Sequence, residues 1–166
     1  MTTDDTANGL VRKTDDGYEI VFVRWLGKPI EKVWAALTVP ERVADWFADL
    51  RFVPNLQLGA RTELRFLEDA QSHEPIVGKV VAFDPPHVIA WTWDQGIMTF
   101  ELVADGQGCR LTLTSRGPGR PHPNEMAGWH THLEGLEGAA DGVRTAWSAD
   151  REKVHQARYV VAVAAL

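Results

Sequence analysis

A single cysteine, Cys109, leaves this chain without a partner for an internal disulfide. Met1 is followed by Thr and Asp instead of the basic and apolar leader of an exported protein, so a cytoplasmic location is expected. Long hydrophobic runs are also missing. The longest, Tyr159 to Leu166, falls far short of the roughly 20 residues that span a bilayer, and no membrane partner is expected. Positive charge is scarce: 17 Lys and Arg stand against 23 Asp and Glu, a net charge of -6. That balance argues against nucleic acid or anionic lipid, both of which need basic patches. No Walker loop, Rossmann glycine fingerprint, Gly-x-Ser-x-Gly elbow, paired CxxC or His-Glu-x-x-His word is present, and neither are internal repeats.

What remains is a chain of 166 residues, 45% hydrophobic, the size of one globular domain. Residues 1–8 are polar and Asp/Thr-rich, which predicts a disordered N-terminus ahead of a domain over 9–166. Met126, Trp129, Leu133, Leu136, Ala140 and Val143 recur at steps of three and four, which predicts one long amphipathic helix over 124–142, with Asn124 as N-cap and Gly142 at its close. Upstream, Leu10 to Lys13 and Tyr18 to Leu26 read as a hairpin whose Asp16-Gly17 turn supplies a positive φ. Pro29 and Pro40 open two short helices, 30–37 and 40–47. Period-two strands follow at 61–67, 76–83, 88–93, 97–103 and 110–116. Ser148 caps a final predicted helix, about 149–163, with Val154, Ala157, Val161 and Ala164 as its apolar stripe. This 148–166 extension is expected to dock on a strip of small residues, Gly128, Gly135, Ala139 and Gly142, or on a second subunit as a homodimer.

The order and the words resemble a known family. Lys28-Pro-Ile-Glu-Lys-Val-Trp-Ala-Ala-Leu-Thr38, Pro40-Glu41 and Trp46 are similar to the opening signature of the family named for the activator of heat-shock-protein ninety ATPase. Gly78 with Asp84-Pro85-Pro86, Trp91-x-Trp93, Gly108 to Thr114, and Gly128-Trp-His-x-His-Leu133 continue the likeness over residues 9–142. The resemblance implies an α+β helix-grip fold of the START-related and birch-pollen-allergen-like superfamily, in which a curved antiparallel sheet wraps a long C-terminal helix. That superfamily includes lipid carriers, hormone receptors, polyketide cyclases and a co-chaperone, so the fold alone leaves function open.

The leading expectation is a cavity between sheet and long helix that binds a small apolar or aromatic molecule. Its expected walls are Trp129, His132, Leu133 and Leu136 from the helix, and Leu64, Phe66, Trp91, Met98, Phe100, Leu111 and Leu113 from the strands, with Trp34 beside them. Two alternatives stand. One is a stress-related, co-chaperone-like module that meets a protein partner such as a chaperone through the sheet's outer face. The other is a cyclase- or hydratase-type enzyme using the same cavity. The reading leans away from an enzyme, with no catalytic residue assigned. No metal or cofactor is expected: His130 and His132 lie about 200° apart on a helix and cannot share one ion there. His130 is expected to pair in solvent with Glu134, Glu19, Glu63 and Glu101 to face water, and Arg24 to be solvated.

Overall fold

The computed structural model describes residues 7–66 and 74–166. Alternating side chains build most of it. In β2 (Gly17–Leu26), β7 (Gly96–Asp105) and β8 (Gly108–Pro118) the buried positions fall at every second residue: Ile20 and Phe22; Met98, Phe100 and Leu102; Leu111, Leu113 and Ser115. Register brings these sets onto one face, because Phe22 pairs with Leu113, Leu113 with Phe100, and Ser115 with both Ile20 and Met98. With β1 (Leu10–Thr14), β3 (Asp49–Val53), β4 (Arg61–Arg65), β5 (Ile76–Asp84) and β6 (Val88–Trp93), the strands form one eight-stranded antiparallel sheet in the order β1-β2-β8-β7-β6-β5-β4-β3. This is the α+β helix-grip architecture, a large curved antiparallel sheet with helices on its inner face. The end of the predicted 61–67 strand, at Leu67, lies outside the described residues, as do residues 1–6 of the predicted disordered N-terminus.

Between β2 and β3, α1 (Ile30–Thr38) and the single-turn α2 (Pro40–Val43) carry the chain across the inner face to the far edge of the sheet. Trp46 fixes this crossing, with a ring 4% exposed and Nε1 donating to the Ala36 carbonyl at 2.7 Å. The second predicted helix is shorter than 40–47, and Asp49–Val53 is a strand that the sequence pattern did not delimit.

Gly17 corrects the hairpin reading. No positive φ occurs at Asp16 or Gly17. Instead, a Cβ on Gly17 would lie 2.0 Å from the Gly117 carbonyl oxygen, so the residue is needed for close approach of two strands.

The long helix is also corrected. It divides into α3 (Pro123–Leu133) and α4 (Leu136–Ala140), with Glu134 and Gly135 between them. There the Gly135 amide donates to the His132 carbonyl, three residues back, tightening the helix by one step. The return of the chain accounts for the small residue: a Cβ on Gly135 would come within 2.9 Å of Thr145. Gly142 closes α4 at φ 73°, and the N-cap of α3 is His122.

The final helix, α5 (Ala149–Ala164), starts at Ser148, whose Oγ accepts from the Arg151 amide. It packs on α3 with a different face from the one expected. Tyr159 and Val163 are buried, whereas Val154 and Val161 are 66% and 70% exposed. The small-residue strip is not its seat, since a Cβ on Gly128 would meet nothing within 4 Å. Tyr159 determines the docking. Its hydroxyl accepts from the Gly9 amide at 2.9 Å and therefore donates its proton to His130 Nδ1 at 2.6 Å. Arg158 of α5 donates to Asn8 Oδ1.

Candidate functional site

Above the inner face, between β6, β7 and β8 on one side and α3 on the other, lies a cavity of about 530 Å³. Its deep wall is aromatic and apolar: Phe47, Trp93, Met98, Trp129 and Phe66. These rings hold one another. Phe47 stacks on Trp129 at 4.9 Å between centroids, and Trp93 meets Trp129 edge-on at 5.8 Å. At the other end, the exposed residues Asp94, Gln95, Pro118 and Asn124 mark an opening to solvent. Gly128 contributes a bare stretch of α3 to the wall.

A polar cluster sits on one side. Glu125, in the first turn of α3, accepts from Tyr18 at 2.7 Å on Oε2 and from Ser115 at 2.8 Å on Oε1. Tyr18 and Ser115 reach it by strand alternation, since Tyr18, Ile20 and Phe22 share a face, as do Leu111, Leu113 and Ser115. Burial raises the Tyr18 pKa above the ordinary phenol value, and the hydrogen bond to Glu125 with the nearby Glu125 and Asp94 charges raises it further. The phenol therefore keeps its proton and donates it to the carboxylate. Arg116 borders the cavity, but its side chain follows the opposite alternation to the outer face, where Nε donates to Glu19 Oε2.

His132 borders the cavity with its ring against Phe47 and Trp147, at centroid distances of 5.1 and 4.5 Å. Burial lowers its pKa to about 4, helped by the Arg151 charge and opposed by the Trp46 carbonyl. The ring is thus neutral near pH 7, with Nδ1 donating to the Trp46 carbonyl at 3.2 Å and Nε2 left as an acceptor.

Of the residues expected to form the site, Trp129, His132, Phe66 and Met98 meet at the cavity. Leu64, Trp91, Phe100, Leu111, Leu113, Leu133 and Leu136 are core residues, each 4% exposed or less, and do not border it. Trp34 lies on α1 with its ring 6.1 Å from Phe83, away from the cavity. Sequence reasoning missed Tyr18, Phe47, Ser115, Glu125 and Gly128, and did not place Trp93 among the expected walls.

Two expected solvent-facing groups are buried. Glu19 is 5% exposed between Arg12 and Arg116; burial alone would raise its pKa, but the two hydrogen-bonded guanidiniums outweigh it and hold the carboxyl below its ordinary value. His130, expected to pair with Glu134 in solvent, is 5% exposed and bound to Tyr159. Glu134 instead meets His155 Nε2 at 2.5 Å. Arg24 is half-buried, with its guanidinium 5.5 Å from the Phe22 ring centroid.

Among the described residues, His130, Glu134 and His155 are the one group whose ligand atoms cluster as a metal site would require. The two imidazoles, however, stack at 3.7 Å and 16°, so their in-plane lone pairs run parallel instead of converging on one ion. His130 Nδ1 is occupied by Tyr159 and Glu134 Oε1 by His155. As arranged, the group is a hydrogen-bonded seam between α3 and α5.

Comparison with known proteins agrees with this architecture. The chain aligns with CalU16 from Micromonospora echinospora at 18% identity and a TM-score of 0.71, covering 94% of this chain and 96% of that one. It aligns with a conserved protein of unknown function, EF2215, from Enterococcus faecalis at 17% identity and a TM-score of 0.77, covering 95% and 91%. The protein encoded by gene BPP1335 of Bordetella parapertussis is 30% identical, with a TM-score of 0.68 and coverage of 96% and 94%. No curated protein matches in sequence. Among the described residues no helix is long and apolar enough to cross a membrane. Residues 28–141 match the family described as Activator of Hsp90 ATPase homolog 1-like protein, and the chain belongs to that family.

Proposed function

We propose that this protein binds a small, largely aromatic or apolar molecule in the cavity between the sheet and α3. The observation that carries this reading is the cavity itself: about 530 Å³ walled by Phe47, Phe66, Trp93, Met98 and Trp129, with a few polar groups converging at Tyr18, Ser115 and Glu125. Specific small-molecule sites typically occupy about 300–1,000 Å³ and combine apolar walls with a few placed polar groups. The polar cluster supplies orientation, while Trp93 and Trp129 supply contact area.

Tryptophan fluorescence tests the proposal. Small phenyl-bearing probes are expected to change the emission saturably, at one site per chain. Gly128→Leu, which places a side chain into the cavity from a position where a Cβ meets nothing within 4 Å, is expected to abolish the response. Unchanged binding to folded Gly128→Leu would place the site elsewhere and overturn the proposal.

A second reading, a chaperone or other protein partner on the outer face, has one specific support. Trp25 is 60% exposed there, with Val103 at 56% beside it across Arg110. Exposed apolar clusters of this kind often mark protein contacts. Loss of binding to a candidate chaperone on Trp25→Ser, with the probe response intact, would favour this reading over the first.

A further inference from the structure

We infer that the cavity selects cationic ligands, namely a primary or secondary organic ammonium group carried on an aromatic or apolar body. The inference rests on the ligand-binding reading above and specifies the ligand's polar end.

The polar side of the cavity keeps unused acceptors beside the amide and indole donors of Gln95, Asn124, Trp93 and Trp129. Both hydroxyls that reach the cavity are already committed as donors: Tyr18 to Glu125 Oε2 and Ser115 to Glu125 Oε1. Each carboxylate oxygen retains a further lone pair, since two hydrogen bonds use half of the sites a carboxylate offers. His132 gives its proton to the Trp46 carbonyl, which leaves Nε2 as another acceptor. Asp94, in the two-residue turn between paired Trp93 and Gly96, places a second carboxylate at the mouth.

Charge points the same way. Among the described lining residues, with His132 neutral, Arg116 alone carries a positive charge, and its guanidinium is held by Glu19 on the outer face of the sheet. The cavity side thus carries two carboxylates without a facing cation among those residues. The rings of Trp93, Trp129, Phe47 and Phe66 line the same cavity, and any ring face left uncovered there carries the negative side of its quadrupole. An ammonium group near such faces gains cation–π attraction, most strongly at Trp, and its N–H groups supply the donors that the carboxylate lacks. A carboxylate ligand would instead meet the like charges of Glu125 and Asp94. An alcohol would satisfy one acceptor without the charge.

Three probes that share a phenyl ring and a two-carbon arm test this by fluorescence titration: 2-phenylethylamine, 2-phenylethanol and 3-phenylpropanoate. In the wild-type protein the amine is expected to bind about tenfold more tightly than the alcohol, with the acid weakest. Glu125→Gln is expected to remove most of the amine's advantage over the alcohol. Circular dichroism checks the fold of that variant; if it is lost, Asp94→Asn serves instead, with an expected reduction of about threefold in the amine alone. Alcohol or acid binding as tight as the amine would overturn the inference while leaving the cavity reading intact. Failure of all three probes to bind would overturn both. A full amine preference retained in folded Glu125→Gln would refute the role given to that carboxylate.

Discussion

Replacing Tyr159 by Phe removes one oxygen and, by the geometry described above, two hydrogen bonds at once. The hydroxyl lies in a buried seam, on a residue 1% exposed, accepting from Gly9 and donating to His130 Nδ1. The benzene ring of Phe fills the same space, so apolar packing, including the edge contact with Phe22 at 6.2 Å, is kept. What is lost is partner satisfaction: Gly9 N–H and His130 Nδ1 are both buried, and each orphaned group costs about 1–3 kcal/mol. Allowing for partial rescue by water, the sum is about 2–4 kcal/mol. For a chain of this length about 1 kcal/mol corresponds to roughly 2–4 °C, so the Tm should fall by about 5–15 °C. Differential scanning calorimetry gives that number, and hydrogen exchange at the Gly9 amide reports whether the loss arises in the seam. A Tm within about 1 °C of wild type, with Gly9 exchange unchanged, would refute the view that this hydroxyl ties the N-terminus and α5 to α3.

Three other outcomes follow from the same geometry. Gly128→Leu should raise stability by about 0.5–1 kcal/mol, because an α-helix interior disfavours Gly and the new side chain enters open space; a destabilised variant in calorimetry would mean the space is not available. Leu133→Ala, in the core and not at the cavity, should cost about 2–5 kcal/mol in chemical denaturation while leaving probe binding in place. The pKa of His130 is lowered from 6.5 to about 3, chiefly by burial and then by the His155, Arg24 and Arg158 charges, and that of His132 to about 4. Between those values and 6.5 the unfolded chain binds more protons than the folded one, so stability should be full above about pH 6.5 and decline as the pH falls below it. A Tm that stays flat from neutral pH down to about 5 would contradict the buried, neutral state of both rings.

Periodicity made the architecture legible. Strand alternation marked β4 to β8, and Ser148 with the spacing behind it marked α5 within one residue of its observed end. The same reasoning located the site only in part, for a physical reason. A face that alternates correctly says which residues point inward, and inward residues divide between core and cavity wall by how far the opposing helix stands off. Leu111, Leu113 and Ser115 share one face of one strand, yet only Ser115 borders the cavity, where bare Gly128 lies on α3. The break at Gly135 was hidden because the apolar stripe continues across it; close approach of Thr145 sets it, and that contact comes from a later segment. Glu125 stands off the apolar stripe of its helix and drew no site assignment, although Tyr18 and Ser115 lie on inward registers of neighbouring strands. Glu19 followed an outward period but is covered by Arg12 and Arg116 from the strands on either side, a cross-strand effect that a single strand's pattern does not carry.

The account turns on a small molecule entering between the sheet and α3, and NMR can observe that at the residues concerned. Indole and amide N–H signals would be followed while 2-phenylethylamine, and separately 2-phenylethanol, is added to the intact protein. The account predicts saturable shifts at the Trp93 and Trp129 indoles and the Gly128 amide with at least one of the probes, while the indoles of Trp25, on the outer face, and Trp34, on α1, stay in place. Shifts centred on Trp25 and the outer face of β2 and β8, or no saturable change with either probe, would contradict it.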